Sequence, residues 1–232
     1  MPLKNRLAII SGATGATGQL AARTFAEQGA SLALLSTDRQ KLDLLAADLD
    51  LPPERILTLA VDLNDRQAVF DAARAVNTRF GFADILLHLV GGWTGGKTLV
   101  DTSTEDLQNM LNQHLWTTFH LTQAFLPHLI HNGWGRMIII SAPGAIDPPA
   151  KLGAYAIGKA AEETLLLTVA KEAKENGVTA NIIQVRSIDV KGEGTGTSPG
   201  EIIAAILYLC SDDAVKINGV RIPLYGSVKY PV

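Results

Sequence analysis

The segment Ser11-Gly12-Ala13-Thr14-Gly15-Ala16-Thr17-Gly18 lies between an apolar run at 7–10 and a stretch with helical character. In such a strand–turn–helix context, Gly12 allows a tight turn and Gly15 lets backbone N–H groups approach a pyrophosphate. Gly18 lets the helix pack closely on the strand, and the helix N-terminus supplies partial positive charge for phosphates. The segment therefore predicts a dinucleotide-binding loop, with an ordinary glycine-rich turn as the alternative.

Short apolar runs alternate with helix-like segments along the rest of the chain. Near-continuous apolar runs of this length are typical of strands covered on both faces, as in a parallel sheet under helices. The alternation predicts an α/β fold: one doubly wound (Rossmann) domain over residues 1–232, with a mostly parallel seven-stranded sheet and helices on both faces. The strand-like runs are 7–10, 32–35, 56–61, 85–90, 137–140, 180–185 and 220–224, and the helix-like segments are 18–28, 39–49, 65–80, 104–131, 154–175 and 200–209.

Two helix starts carry recognisable caps. Asn64 and Ser103 occupy positions where N-caps are expected, and Asp106 follows Ser103 at the spacing of a capping box. We therefore expect helices to begin just after these two residues.

The composition argues against several classes of protein. The chain has 232 residues, 47% of them hydrophobic, and a net charge of −3. Lys and Arg form no basic run, so no nucleic-acid partner is expected. No signal peptide follows Met1, and no apolar stretch approaches the ~18 residues of a membrane span. The single cysteine, Cys210, fits a reducing compartment. We expect a cytoplasmic protein without a membrane partner, and we identify no metal site.

A second glycine-rich segment, Gly91-Gly92-Trp93-Thr94-Gly95-Gly96-Lys97-Thr98, matches the spacing of a phosphate-binding P-loop. In a P-loop the lysine and the threonine open a helix. Here residues 99–102 intervene before the cap at Ser103, and no obvious magnesium-binding aspartate ends a later strand. A flexible loop beside an active site is the favoured interpretation, and nucleoside triphosphate binding is the alternative.

Tyr155 and Lys159 lie four residues apart, on one face near the start of a helix. A tyrosine hydroxyl has a pKa of about 10 and is a poor base on its own. A neighbouring ammonium favours the phenolate, so this pair could move a proton near neutral pH. The spacing alone is usually structural, and it gains meaning from the motifs around it.

These motifs occur in an order that resembles the short-chain dehydrogenase/reductase family. The resemblance covers about Arg6 to Gly226, including the ending 217–226. It implies an oxidoreductase that transfers hydride between a nicotinamide cofactor and a carbonyl or alcohol substrate. The residues that carry it are, in order, the glycine loop after the first strand, Asp62 after the third, Gly91 after the fourth, Ser141 ending a strand, Tyr155 and Lys159.

The resemblance also implies catalytic roles. Tyr155 would exchange a proton with the substrate oxygen, while Lys159 would depress the tyrosine pKa and bind the nicotinamide ribose. The family serine that polarises the substrate oxygen falls at Ala142 in this chain. Ser141, one residue earlier, could replace it if the following loop is shifted. The family asparagine that supports a proton-relay water aligns with His114, which could take its place or simply fill that helix position.

The cofactor preference depends on the end of the second strand. NAD-binding folds place a carboxylate there, where this chain has Ser36 and Thr37, followed by Asp38 and Arg39. Hydroxyls with a nearby arginine suit a 2′-phosphate and favour NADP(H) over NAD(H), whereas Asp38 as a ribose ligand would favour NAD(H). The candidate cofactor contacts are Gly12, Thr14, Gly15, Thr17, Gly18, Ser36, Thr37, Arg39, Asp62, Leu63, Val90, Gly91, Tyr155, Lys159 and Ile188.

Two functions stay open at this point. Ala142, His114 and the short substrate-covering segment 191–198 also suit a dinucleotide-binding regulator with weak or no turnover, although we favour the enzyme. The family pairs its fourth and fifth helices, which implies a homodimer or homotetramer through residues 104–131 and 154–175. The sequence identifies the substrate only as a small carbonyl or alcohol compound.

Overall fold

The computed structural model describes residues 3–225. Two residues named above lie outside this range. They are Met1, at which no signal peptide was expected to begin, and Gly226, at which the family resemblance ends. The strands are β1 (Leu7–Ser11), β2 (Ser31–Ser36), β3 (Ile56–Ala60), β4 (Ile85–His88), β5 (Gly135–Ser141), β6 (Val178–Gln184) and β7 (Arg221–Pro223). The helices are α1 (Ala16–Glu27), α2 (Arg39–Leu49), α3 (Arg66–Phe80), α4 (Thr104–Leu111), α5 (Thr117–His131), α6 (Gly153–Glu172) and α7 (Pro199–Leu209).

The seven strands form one sheet in the order β3-β2-β1-β4-β5-β6-β7. Each of its strand pairings is parallel, so the predicted doubly wound fold is confirmed. The strand order reverses between β1 and β4, where Ser11 pairs with Leu35 on one side and His88 on the other. Helices leave this point in opposite directions and open a crevice at the carboxyl ends of the strands, the usual ligand position in such sheets.

Both faces of the sheet are covered. In β1, Ile9 packs into the layer formed with α3, α5 and α6. Its neighbours Ala8 and Ile10 pack into the opposite layer with α1, α2 and α7. All three are fully buried, which explains why the strand is apolar throughout instead of alternating. Among residues 3–225, no helix has the length and apolar character of a membrane span.

The two predicted caps have different outcomes. Ser103 caps α4, and its hydroxyl and the Asp106 carboxylate each accept a backbone N–H from the other residue, at 3.0 and 3.1 Å. The prediction for Asn64 is wrong, because Asp65 caps α3 by accepting the Ala68 N–H at 3.1 Å. Asn64 instead donates its backbone and side-chain N–H groups to the Asp62 carboxylate, so it belongs to the turn after β3.

The predicted helix 104–131 contains a π-helical turn, Asn112–Trp116, between α4 and α5. Threonine hydroxyls of the next turn bond to carbonyls within it: Thr117 to the Gln113 oxygen at 2.8 Å and Thr118 to the His114 oxygen at 2.6 Å. Such bonds give the carbonyls partners outside the regular helical ladder. The turn buries His114 completely.

Candidate active site

In the glycine loop between β1 and α1, backbone atoms pack closely against the glycines. Gly12 has a φ of +73°, and a Cβ there would lie 3.0 Å from the Leu89 carbonyl. A Cβ at Gly18 would lie 2.1 Å from the Gly12 oxygen. Gly15 has an ordinary φ of −75° and marks the start of α1. The turn needs glycine at Gly12, and the contact between helix and loop needs it at Gly18.

Two adjoining cavities lie at the crevice. A cavity of about 320 Å³ borders the glycine loop and the ends of β2 and β3, and a second of about 480 Å³ borders α6 and the ends of β4 and β5. Both are lined by Leu89, Val90 and Gly91, so they adjoin at this segment, and together they are called the groove. Of the residues singled out from the sequence, the first is lined by Gly12, Gly15, Ser36, Thr37, Asp62, Leu63, Val90 and Gly91, and the second by Thr17, Val90, Gly91, His114, Ser141, Tyr155, Lys159 and Ile188.

Three of the expected cofactor contacts do not line either cavity. The Thr14 hydroxyl is hydrogen bonded to the Ser36 hydroxyl at 2.7 Å, and Gly18 packs against the backbone of Gly12 and Ala13. Arg39 donates to the carbonyl oxygen of Thr58 at 3.2 Å. The arginine is therefore directed along β3 and away from the groove.

The second glycine-rich segment lacks the geometry of a P-loop. No helix follows Thr98, because α4 begins only at Thr104. Lys97 pairs with Asp106 at 2.6 Å, and Thr98 bonds to Asp101. Both side chains are engaged locally, so nothing here supports the alternative of nucleoside triphosphate binding.

Tyr155 and Lys159 lie together at the larger cavity. Lys159 is buried, and its ammonium donates to the Ile140 carbonyl at 2.7 Å and to the Glu162 carboxylate at 2.9 Å. Glu162 was not among the residues predicted from the sequence. Its signal was present, because Tyr155, Lys159 and Glu162 follow one another at the spacing of a single helix face.

The electrostatics of the tyrosine differ from the expectation. Burial, and then the charge of Glu162, raise the pKa of Tyr155 to about 12. The family resemblance implies that Lys159 depresses this pKa, but in this chain a buried carboxylate lies beside the ammonium. Without a bound ligand, Tyr155 therefore holds its proton at neutral pH.

His114 contacts the edge of the Tyr155 ring, with 5.6 Å between the ring centroids. Burial, reinforced by the charge of Lys159, lowers the pKa of His114 to about 3, so the imidazole is neutral. Its Nε2 lies 3.1 Å from the Gly92 oxygen and must carry the proton in order to donate to it. Nδ1 is left as an acceptor, 3.8 Å from the Glu162 carboxylate. An unperturbed histidine titrates near neutral pH, and His114 does not.

Ser141 ends β5 at the wall of the larger cavity. Its buried hydroxyl has no hydrogen-bond partner among the described residues. Ser187, also in the cavity wall, donates to the Thr195 carbonyl. Ala142 is buried and carries no hydroxyl, and a short helical turn, Pro143–Ala145, follows it. An unpaired buried hydroxyl requires an explanation, and a ligand in the groove would supply one.

The segment expected to cover the substrate forms a short closed loop. Ile188 and Thr197 are paired at its base. The Asp189 carboxylate accepts the N–H groups of Glu193 at 2.9 Å and Gly194 at 2.6 Å. These backbone bonds lower the pKa of Asp189. The loop is thus organised by its own backbone and carries no helix over the cavity.

Comparisons with known proteins agree with this geometry. Residues 6–195 match the family model for short chain dehydrogenases. An uncharacterized oxidoreductase of Staphylococcus epidermidis is 26% identical over 95% of this chain and 97% of its own length. The D-beta-hydroxybutyrate dehydrogenase of Rhizobium meliloti is 28% identical, again over 95% and 97%. The crystal structure of a short chain dehydrogenase from Bacillus anthracis superposes with a TM-score of 0.88 at 26% identity, covering 98% of this chain and 99% of that one.

Proposed function

Because this chain belongs to the short chain dehydrogenase family, we propose that it is an NAD(P)-dependent oxidoreductase acting on a small carbonyl or alcohol compound. The observation that carries the proposal is the convergence of Tyr155, Lys159 and the unpaired Ser141 hydroxyl on one cavity. That cavity continues into the glycine loop at the reversal of strand order. A proton donor, a cation and a hydroxyl therefore lie at the groove in which we propose that a dinucleotide binds.

In this proposal the dinucleotide lies along the groove. The bare backbone of Gly12 and Gly15 at the N-terminus of α1 suits a pyrophosphate. Asp62 and Leu63 would hold the adenine end, and the backbone of Ile188 would hold the carboxamide. The bound nicotinamide would supply or accept the hydride.

In the direction of reduction, the protein's part of the chemistry is proton transfer. Tyr155 would donate its phenolic proton to the substrate oxygen as that oxygen gains negative charge. Ser141 would donate a hydrogen bond to the same oxygen, a role typically worth 10²–10³ in rate. Lys159 would hold the ribose of the nicotinamide through the N–H that neither Ile140 nor Glu162 accepts.

We further propose that NADP(H) is preferred over NAD(H). Ser36 and Thr37 line the smaller cavity, and neither carries a charge that would repel a 2′-phosphate. Asp38 caps α2 by accepting the Lys41 N–H at 3.0 Å and also pairs with the Lys41 ammonium, so its carboxylate is engaged elsewhere. The preference rests on these hydroxyls, since Arg39 would have to leave Thr58 to reach a phosphate.

A cytoplasmic location and a homodimer or homotetramer complete the proposal. Residues 104–131 and 154–175 would form the interface, and the exposed Trp116 and Ile157 on these segments support it. Light scattering at several concentrations measures the assembly directly. A monomer at every concentration would refute this part.

The activity is tested by titrating the protein with NADPH and NADH while nicotinamide fluorescence is followed, and then by a substrate screen. Tyr155→Phe should abolish turnover and leave cofactor affinity within about twofold, because the ring remains and only the proton donor is removed. Unchanged turnover would refute the role of Tyr155. Tight binding without turnover on a broad panel of aldehydes, ketones and alcohols would favour a dinucleotide-binding regulator.

A further inference from the structure

Glu162 is a buried carboxylate that contacts the candidate catalytic lysine from within the protein. It lies on α6, three residues after Lys159, and is completely shielded from solvent. One oxygen accepts from the Lys159 ammonium at 2.9 Å, and the other lies 3.1 Å from the Thr118 hydroxyl, whose single proton bonds more closely to the His114 carbonyl at 2.6 Å. His114 approaches to 3.8 Å. Glu162 does not line the groove, so a substrate would not touch it.

The contacts of the ammonium fix its orientation. A lysine ammonium has three N–H donors. Ile140 accepts one at 2.7 Å and Glu162 accepts another. One donor is left for a ligand in the cavity that Lys159 lines. Removing Glu162 would free the ammonium to rotate.

Burial raises the pKa of Glu162, and the charge and hydrogen bond of Lys159 oppose that rise. Held ionised by this pair, the carboxylate also changes the charge that Tyr155 experiences. The groups facing Glu162 from its own helix are Tyr155, Lys159 and Glu163. Across the helix interface the titratable neighbour is His114, on the π-helical turn.

The other titratable neighbours are either neutral or paired elsewhere, so the Lys159–Glu162 pair supplies the charge that acts on Tyr155. His114 is neutral, and so is His88 on β4, whose pKa burial lowers to about 3. Glu163 is occupied elsewhere, with Gln184 at 2.9 Å and Arg221 at 2.5 Å. A carboxylate 2.9 Å from the ammonium opposes the attraction that the ammonium would exert on a phenolate.

We propose that Glu162 is a positioning residue of the candidate active site, which holds the Lys159 ammonium in place and opposes its charge, so that Tyr155 is kept as a proton donor. The consequence for direction rests on the function proposed above. At neutral pH the protein should reduce carbonyl compounds readily and oxidise alcohols poorly, because oxidation needs Tyr155 as a phenolate. Raising the pH should restore oxidation.

The direct test is the ionisation of Tyr155 in the protein without cofactor. Tyrosines labelled at the ring Cζ are followed by ¹³C NMR against pH, and Tyr155→Phe identifies the resonance. In the wild type this resonance should stay unchanged up to about pH 10, because its pKa lies near 12. Glu162→Gln keeps the shape and removes the charge, and should lower the midpoint by up to about one pH unit, because burial is the larger cause of the raised pKa.

Glu163→Gln is the matched control. Glu163 is equally buried and adjacent in sequence, but its carboxylate bonds Gln184 and Arg221 instead of Lys159. It should leave the Tyr155 titration unchanged. Glu162→Asp, which restores the charge, should titrate close to the wild type. An unchanged midpoint in folded Glu162→Gln, or an equal shift in Glu163→Gln, would overturn the proposal.

A second variant and a second readout keep the test decisive. If Glu162→Gln does not fold, Glu162→Met removes the same charge with an apolar side chain of similar volume, and the same shift is expected. In the active enzyme, the pH profile of alcohol oxidation should move to lower pH by the same amount as the NMR midpoint. The NMR titration needs neither cofactor nor substrate, so failure to find turnover would count against the proposed function and leave the test of Glu162 intact.

Discussion

Gly15 and Gly18 lie three residues apart in the same loop, and the structure predicts opposite consequences when each is replaced by alanine. A Cβ at Gly18 would lie 2.1 Å from the Gly12 oxygen, 2.8 Å from the Ala13 Cα and 2.9 Å from the Ala13 carbonyl carbon. All three atoms are backbone, so no side chain can rotate away. Ordinary contact begins near 3.4 Å, so α1 and the loop must separate by about 1.3 Å, the difference between 3.4 and 2.1 Å.

We therefore expect Gly18→Ala to lower the free energy of unfolding by about 3 kcal/mol, the upper end of ordinary overpacking costs. For a chain of this size that is a fall of roughly 6–12 °C in Tm. At Gly15 the added Cβ would lie 3.4 Å from the Gly12 oxygen, with an ordinary φ, so Gly15→Ala should cost less than about 1 kcal/mol. Because Gly15 lines the groove, the same change should weaken NADPH binding at least about tenfold by holding the pyrophosphate away.

The assays are urea unfolding without ligand and a fluorescence titration with NADPH for both variants. The reasoning would be refuted by a Gly18→Ala protein within about 1 kcal/mol of the wild type. A Gly15→Ala protein that binds NADPH normally would refute the role given to Gly15 at the phosphates. Either result can occur without the other.

Other predictions concern specificity and stability. Ser36→Asp should reverse the cofactor preference by at least about tenfold towards NADH, measured as the ratio of the two affinities, and an unchanged ratio would place Ser36 away from the 2′-position. Arg221→Ala should destabilise the protein by about 2 kcal/mol in urea unfolding, because Glu163 stays buried with only Gln184 as partner among the described residues; a loss below about 0.5 kcal/mol, the size of an ordinary surface substitution, would contradict this. His88 has its pKa lowered from 6.5 to about 3, so the unfolded chain binds its proton first and stability should fall between pH 6.5 and 3. His88→Asn should flatten that fall by about 1 kcal/mol per pH unit, and an unchanged slope in urea series at stepped pH would exclude His88 as its source.

The parts of the fold that follow from local sequence were predictable. The strand–helix alternation and the Ser103–Asp106 cap depend on residues close together in the chain, and both occur in the structure. The exchange of Asn64 for Asp65 as a cap had a local cause as well. Both residues can cap a helix, and the choice depended on Asp62 accepting the N–H groups of Asn64. The carboxylate of Asp62, two residues before Asn64, was the sequence signal that Asp65 would be the cap.

The features that depend on packing between elements were not predictable in the same way. The π-helical turn that buries His114 and the direction of Arg39 are set by contacts across helices and strands. Glu162 shows the difficulty most clearly. Its spacing from Tyr155 was readable, but a glutamate on a helix is usually solvated, and only the packing of α6 against Thr118 and His114 removes it from water.

The loop closed by Ile188 and Thr197 has a consequence for protein engineering. Because its ends are joined at the base, we expect residues 190–196 to be exchangeable for longer sequences while β6 and α7 stay in place. Each doubling of a flexible loop costs only about 0.6 kcal/mol in closure entropy. Libraries of inserted segments at this position could therefore supply new walls above the cavity, and selection on bulky ketones would sample substrate scope while Tyr155 and Lys159 stay on a helix that the insertions do not touch.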